Sequence, residues 1–274
     1  TPVVVTGNVA MGSANGNINF AGLLDGDGSA TPASLTLGSG TGNVTFSTKV
    51  GSLAMLSALG INTTGLASAT DTIQVGSFAI NAASALPAGS ATLLANVTTS
   101  TTQVYNTALN VGANINLTGT QISTGGTVSG GGNFALTITG NAVLGNASDT
   151  LDNITGLQTL TVTGDTLINT GVITTRGGQT YTGNATLGNA TALSTTDNGT
   201  VLFSGTVNGT KNLTISTGSG NVTLTGAVGG TARLGTLSLV STGATTFGSS
   251  VKAASLSASN SGTVFVGGNI DTTG

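Results

Sequence analysis

A segment that occurs twice restricts the fold of this chain more than any other feature. Residues 173–188 read ITTRGGQTYTGNATLG, and residues 97–112, which begin 76 positions earlier, keep the same frame. Each copy has two short runs of alternating apolar and polar residues joined by a polar turn. Such a unit cannot bury its own apolar face, so the sequence predicts stacked repeats. The matched pairs are Val97 and Ile173, Gln103 and Gln179, Tyr105 and Tyr181, Val111 and Leu187, and Gly112 and Gly188.

A second motif, Leu-x-x-Leu-x-apolar, occurs three times along the chain. Its last two apolar residues are two positions apart, so they point to the same face of a strand. We therefore predict a single domain of three related repeats, approximately 1–100, 101–177 and 178–274, with these side chains forming a core ladder. The ladder residues are Leu56, Leu59, Ile61, Leu157, Leu160, Val162, Leu234, Leu237 and Leu239.

Short apolar runs, separated by Gly and Asn-Gly turns, indicate an all-β fold. Two architectures fit them: a parallel β-solenoid (β-helix) and antiparallel β-sandwich domains. The repeats favour the solenoid, because stacked coils place similar side chains at a fixed phase. With ~20 residues per coil and ~4.8 Å between coils, the chain would form roughly 14 coils over about 65 Å. The Ala-rich stretches 53–66 and 79–94 predict one short helical turn each.

The composition excludes several classes of function. The chain has 45 Gly, 5% charged residues, a net charge of -3 and no Cys, His or Trp. It therefore has no disulfide, no thiolate metal site and no basic patch for nucleic acid. So few charges suit a protein that assembles outside the cell. We find no apolar run long enough to span a membrane. Starting at Thr1 without a charged leader, the chain resembles a processed secreted protein or a segment of a longer one.

The chain has no His and no Cys, so carboxylates are the remaining candidates for catalysis. All eight acidic residues are Asp. Asp149 and Asp152 are three positions apart, and a carbohydrate hydrolase or lyase could use such a pair. We favour the interpretation that these Asp residues cap turns, and we expect no enzyme. Asp25 and Asp27, in Asp-Gly-Asp-Gly, also resemble half of a calcium loop. That loop lacks a downstream Glu, so we expect either no cofactor or a structural calcium ion.

Three further groups of residues carry predictions. Twelve Asn-x-Ser/Thr sequons, among them Asn43, Asn62, Asn96, Asn184 and Asn221, could carry glycans or form Asn ladders at coil corners. Phe20, Phe46, Phe203 and Phe247 are predicted core residues. Three Thr-x-Thr pairs would line one flat face, as on ice-binding surfaces, although Thr is also simply a good strand residue. These pairs are Thr137 with Thr139, Thr161 with Thr163, and Thr223 with Thr225.

The repeat style resembles that of large secreted bacterial surface proteins. The resemblance rests on Gln179-Thr180-Tyr181 continuing to Leu187-Gly188, on the Leu-x-x-Leu-x-apolar motif, and on residues 205–209 leading to Leu213-Thr214-Ile215. Filamentous-haemagglutinin-like adhesins and autotransporter passengers have such repeats. The resemblance covers nearly the whole chain. It implies a right-handed parallel β-helix outside the cell that serves as a stalk, an adhesin or surface-layer material.

We therefore predict a structural extracellular protein, a β-solenoid subunit of a filament, sheath or surface layer. The alternatives are an adhesin shaft or glycan-binding module and a carbohydrate-active β-helix enzyme. A third copy of the 16-residue segment is split between the two ends of the chain, and it predicts an assembly seam. The partner there would be a second copy stacked head to tail, or neighbouring repeats of a longer chain. The seam residues are Val3, Val4, Val5, Ile270 and Asp271.

Overall fold

The computed structural model describes residues 2–84, 88–147, 152–260 and 262–272, and it is all-β. Parallel strands form about 12 coils, which confirms the predicted β-solenoid over the antiparallel sandwich. The helical turns predicted in 53–66 and 79–94 are wrong, since the described parts of both stretches contain strands and no helix. In the first stretch the buried apolar residues are Leu56, Leu59 and Ile61 of β7, and in the second the small side chain of Ala91 is buried. Tertiary packing therefore overrides the helix propensity of Ala.

The chain divides into two compact units, residues 1–128 and 129–274, and this boundary lies inside the second predicted repeat. The three-repeat division itself stays a prediction. The strands of unit 1 are β1 Val3–Val5, β2 Val9–Gly12, β3 Ile18–Phe20, β4 Leu24–Gly26, β5 Ser34–Gly40, β6 Val44–Phe46, β7 Leu56–Thr63, β8 Leu66–Ala69, β9 Ile73–Ile80, β10 Ser90–Leu93, β11 Val97–Thr99, β12 Thr102–Tyr105, β13 Ala108–Val111 and β14 Ile115–Thr124; β15 Val128–Ser129 lies at the boundary.

Unit 2 contains the remaining strands. They are β16 Leu136–Leu144, β17 Ile154–Leu157, β18 Leu160–Val162, β19 Thr166–Ile168, β20 Val172–Thr175, β21 Gln179–Tyr181, β22 Ala185–Leu187, β23 Thr191–Thr195, β24 Val201–Phe203, β25 Val207–Asn208, β26 Leu213–Gly218, β27 Val222–Leu224, β28 Leu234–Ser241, β29 Thr245–Phe247, β30 Val251–Asn260, β31 Val264–Val266 and β32 Ile270–Asp271.

The strands of unit 2 form three parallel stacks. Stack 1 contains β18, β21, β24, β27, β29 and β31, and it begins with the first half of β16. Stack 2 contains β19, β22 and β25. Stack 3 contains β17, β20, β23, β26, β28 and β30. Paired residues in stack 1 are 19 to 24 positions apart, so coils longer than ~20 residues account for about 12 coils instead of roughly 14.

Unit 1 is built in the same way. One stack contains β2, β5, β7, the second half of β9, β12 and the second half of β14. Another contains β3, β6, β8, β10 and β13. The third begins with β1 and β4 and continues through single bridges at Val50 to β9 and β11.

Side chains alternate between the interior and the surface along most strands. In β18, Leu160 and Val162 are buried and Thr161 lies outward, and β21, β24 and β27 follow the same pattern. The predicted core phenylalanines Phe20, Phe46, Phe203 and Phe247 are all buried. The rings of Phe20 and Phe46 stack with centroids 5.3 Å apart, as those of Tyr181 and Phe203 do at 4.6 Å. Side chains at equivalent positions of successive coils therefore stack into ladders.

Glycine columns at the turns allow the coils of unit 2 to approach each other. A Cβ atom on Gly205 would clash with the backbone of Gly183, and one on Gly183 would clash with Gly164. Gly226 stands in the same relation to Gly205. The high glycine content is thus partly a requirement of close backbone packing between neighbouring turns.

Candidate functional site

The segment that occurs twice forms a buried polar bracket in each unit. In unit 2, Nε2 of Gln179 donates to the carbonyl oxygens of Ile173 at 3.2 Å and Ser194 at 2.9 Å. Tyr181 donates its hydroxyl hydrogen to Oε1 of Gln179 at 3.1 Å. Ile173 and Ser194 belong to adjacent coils of stack 3, so one amide links two coils across the interior.

Unit 1 contains the same arrangement. Nε2 of Gln103 donates to the carbonyl oxygens of Val97 and Thr118 at 3.0 and 2.8 Å, and Tyr105 donates to its Oε1 at 2.7 Å. All four Gln and Tyr side chains are fully buried. Burial raises the pKa of both tyrosines well above the ordinary value, because the phenolate would lose its hydration. Both phenols therefore stay protonated near neutral pH, and each keeps its hydrogen bond to the glutamine amide.

The calcium candidates Asp25 and Asp27 point to different partners. Asp25 is buried, and its Oδ1 accepts a hydrogen bond from the backbone N–H of Leu53 at 2.9 Å, while its Oδ2 has no partner in the part of the chain that the structure describes. Asp27 is exposed and accepts from the backbone N–H of Ser29 at 3.0 Å. This bond, followed by one with the Ser29 hydroxyl, lowers the pKa of Asp27. No group of three acidic side chains that could hold a metal occurs in the described residues.

Of the carboxylate pair considered for catalysis, Asp149 lies outside the described residues. Asp152 is buried and accepts from the backbone N–H of Asn146 at 3.0 Å through Oδ2, and its Oδ1 has no hydrogen-bond partner among the described residues. A Cβ on Gly145 would meet the same carboxylate. Asp152 therefore supports the turn that follows β16, as expected of a capping residue.

The nine residues of the predicted core ladder are all buried. They do not occupy equivalent places in the coil. In unit 2, Leu160 and Val162 belong to β18 in stack 1, whereas Leu237 and Leu239 belong to β28 in stack 3. Leu160 pairs with Leu136 and Gln179, and Leu237 pairs with Leu213. The motif thus marks inward positions without fixing one face.

Asparagine side chains at the turns bond each coil to the next one. Oδ1 of Asn184 accepts from the backbone N–H of Thr206 at 3.1 Å, and Oδ1 of Asn221 accepts from that of Ala244 at 2.9 Å. Asn43 and Asn96 accept in the same way from later coils. Asn62 lies exposed in β7. Four of the five named sequons therefore take part in an asparagine ladder.

The three predicted Thr-x-Thr pairs lie on the outward side of stack 1. Register places Thr137, Thr161 and Thr223 in one column, and the same column contains two threonines that the sequence analysis missed, Thr180 and Thr246. Thr180 and Thr246 directly follow Gln179 and Thr245, and the pairing of Gln179 with Leu160 brings Thr180 beside Thr161. The strand register reveals this alignment, and the sequence alone does not. We call this surface the threonine face. Its first column is Thr137, Thr161, Thr180, Leu202, Thr223 and Thr246, and its second column, two positions later, is Thr139, Thr163, Thr182, Ser204 and Thr225.

The predicted seam residues lie on strands that pair on one side only among the described residues. We call β1 with β2 the leading edge and β31 with β32 the trailing edge. Val4 is 51% exposed and Phe265 is 57% exposed. Their neighbours on the two edges are exposed as well, except Val5, which is buried, and Asp271, which is partly buried. The exposed apolar residues are Val3, Val4, Val9, Met11, Val264, Phe265, Val266 and Ile270.

Arg233 ties the trailing edge to the preceding coils. Its guanidinium donates to the carbonyl oxygens of Ala253 and Asp271 at 3.0 Å each, and to Oδ2 of Asp271 at 2.6 Å. Both side chains are about one third exposed, so solvent screens the ion pair. The arginine thus spans three successive coils and orders β32.

No family model matches the sequence, and no curated protein or solved structure matches it. In the described part of the chain, no helix is long and apolar enough to cross a membrane.

Proposed function

We propose that the chain is a structural protein of the cell exterior, a β-solenoid subunit that assembles head to tail into a filament, sheath or surface layer. The observation that carries the proposal is the correspondence between the two edges. The trailing edge of one copy and the leading edge of another both have a three-residue first strand and a three-residue turn, and their apolar residues have the same phase.

The trailing edge reads VFVGGNID from Val264 to Asp271, and the leading edge reads VVVTGNVA from Val3 to Ala10. In both, a three-residue strand is followed by a three-residue turn that ends in Gly-Asn and by a second strand. The corner between stack 1 and stack 2 has the same form inside unit 2, for example in residues 181–185, which read YTGNA. The leading edge therefore has the sequence of a coil that continues this series.

Extending the parallel register by one coil would pair Val264 with Val3 of the next copy, and Ile270 with Val9. Apolar side chains that are about half exposed would then be covered. The free backbone N–H and C=O groups of each edge strand would gain partners, as they do between coils within a unit. The proposed contact is thus a continuation of the coil-to-coil interface.

Composition supports a structural role over a catalytic one. Without His, Cys or Glu, the usual bases and nucleophiles are missing, and the two buried carboxylates that are described, Asp25 and Asp152, support loops. The sparse charge and the resemblance to secreted repeat proteins support the extracellular location.

Electron microscopy and a cysteine cross-link test the assembly together. The chain has no Cys, so a double variant with Val4→Cys and Phe265→Cys has only the introduced thiols. Adjacent parallel strands are ~4.8 Å apart, which is within reach of a disulfide. Under oxidation we expect a ladder of disulfide-linked multimers on a non-reducing gel, and fibres whose number grows with protein concentration.

The matched control combines Val4→Cys with Thr246→Cys. Thr246 lies in the coil before Phe265 and pairs with it. Thr246 would therefore lie two coil spacings from Val4 of the next copy, which is beyond the range of a disulfide. Fibres with equal cross-linking in both variants would contradict the register. Single particles at all concentrations, with no cross-linked multimers, would contradict head-to-tail assembly, and binding on a glycan array would then favour the adhesin module.

A further inference from the structure

The threonine face takes no part in the contact between the leading and trailing edges. Its first column is regular. The pairings that form its first column show no register shift between Thr137 and Thr246. Its residues are half-buried or exposed, and neither column contains a charged side chain. The first column is therefore an uncharged strip of strand surface that repeats once per coil, and the second column borders it at the strand ends.

The hydroxyl groups of the first column differ from those at the coil corners and from that of Thr163 in the second column, whose Oγ1 accepts a hydrogen bond from the backbone N–H of Gly140 at 3.1 Å. Corner residues Thr175, Thr195 and Thr217 donate to the carbonyl oxygens of nearby glycines at 2.7 to 2.9 Å. Among the described residues, the hydroxyls of the five threonines in the first column make no hydrogen bond to the protein. They keep both their donor and their acceptor capacity for molecules outside it.

The two columns form a rectangular net. Neighbouring coils are ~4.8 Å apart, so hydroxyl and methyl groups recur at this interval within each column. The second column follows the first by two residues, or ~6.6 Å of extended chain. Thr139 lies within β16, and the other second-column residues directly follow the ends of their strands: Thr163, Thr182, Ser204 and Thr225. Thr is β-branched and has few χ1 rotamers, so little side-chain entropy is lost when the net meets a surface. Single hydroxyl contacts are weak, and affinity from such a net depends on many of them acting at once.

We propose that the threonine face binds the surface of crystalline water. A prism face of ice is itself a flat net of oxygen atoms with two similar repeats, and each of its oxygens donates and accepts hydrogen bonds. The hydroxyls can take oxygen positions in that net while the methyl groups lie between them and limit competing hydration. Discrete sugar ligands are usually held by a few charged or aromatic groups, and the two columns contain neither.

The fourth row of the net is incomplete, because Leu202 and Ser204 stand where the rows on either side have two threonines. Thr161 with Thr163 and Thr180 with Thr182 precede it, and Thr223 with Thr225 follows it. The double variant Leu202→Thr, Ser204→Thr therefore makes five consecutive complete rows without changing any buried residue.

Freezing-point hysteresis and the shape of ice crystals grown in the protein solution test this inference. The unaltered chain is expected to give hysteresis and faceted crystals, and the completed double variant to give a larger hysteresis. Thr180→Lys, in the middle of the net, is expected to lose most of the effect. The matched control is Thr214→Lys, the same exchange at an outward, half-buried position in stack 3, which should retain it.

Circular dichroism confirms that each variant keeps its β-structure. Rounded crystals and no hysteresis with the unaltered chain would overturn the proposal. Equal losses in Thr180→Lys and Thr214→Lys would overturn it as well, since the effect would then not belong to this face. No change in the completed double variant would count against the five rows acting as one surface. None of these outcomes depends on head-to-tail assembly.

Discussion

The phenol oxygen of Tyr181 lies 3.1 Å from Oε1 of Gln179, and both side chains are fully buried. Tyr181→Phe would leave that amide oxygen without a partner in the core. We expect the free energy of unfolding to fall by about 1–3 kcal/mol, measured by urea denaturation. Thr180→Val, on the outward side of the same strand, is the control and should stay within about 0.5 kcal/mol. Equal effects would contradict the bracket.

Alkaline pH should destabilise the protein through its two tyrosines. Burial raises the pKa of Tyr105 and Tyr181 in the folded state, so both stay neutral there while the unfolded chain ionises near pH 10. The folded state then binds more protons than the unfolded state, and stability, complete below about pH 10, falls by about 1.4 kcal/mol per tyrosine and pH unit above it. Tyrosinate absorbance should appear only together with loss of β-structure. An ordinary titration in the folded protein would contradict the burial.

Gly205→Ala should be strongly destabilising, because its Cβ would clash with the backbone of Gly183 in the previous coil. Separating two coils to make room costs about 1–3 kcal/mol. Thermal unfolding measures the change. Gly171→Ala is the control: its nearest neighbour, the carbonyl oxygen of Ala190, would be 3.9 Å from the new Cβ. A loss of stability as large as that of Gly205→Ala in this control would show that the coils do not touch at the glycine column.

The asparagine ladder predicts different results for two sequons. Asn221→Ala removes the acceptor for the backbone N–H of Ala244 and should cost about 1 kcal/mol in urea denaturation. Asn62 is exposed, and its side chain makes no hydrogen bond within the described part of the chain. Asn62→Ala should therefore change stability by less than about 0.5 kcal/mol. A neutral Asn221→Ala would contradict the ladder.

Much of the fold follows from the sequence, because alternation along each strand separates inward from outward residues. That is why Leu160, Val162 and Leu237 could be assigned to the core. Alternation is the same on all three stacks, however, so it does not tell which stack a strand joins. The motifs at Leu160 and Leu237 look alike and lie in different stacks for this reason.

The polar interior was harder to predict. Gln179 and Tyr181 are two positions apart, which indicates a shared face, but a glutamine is usually exposed. Only the carbonyl oxygens of Ile173 and Ser194, brought together by the pairing of β20 and β23, make its burial favourable. The helical turn predicted in residues 53–66 was wrong for a similar reason, because a pattern of small residues does not reveal how closely neighbouring coils approach.

The ladder from Asn184 to Thr206, like the strand pairings, connects each coil only with its immediate neighbours. Removing or duplicating one whole coil away from Arg233, which spans three coils, would therefore leave strand pairings and ladder contacts that the new neighbours can remake. Length becomes a property that recombination within the coding sequence can adjust in steps of a single coil. Its turns and interior would need no redesign, so the reach of such a molecule can evolve separately from its stability.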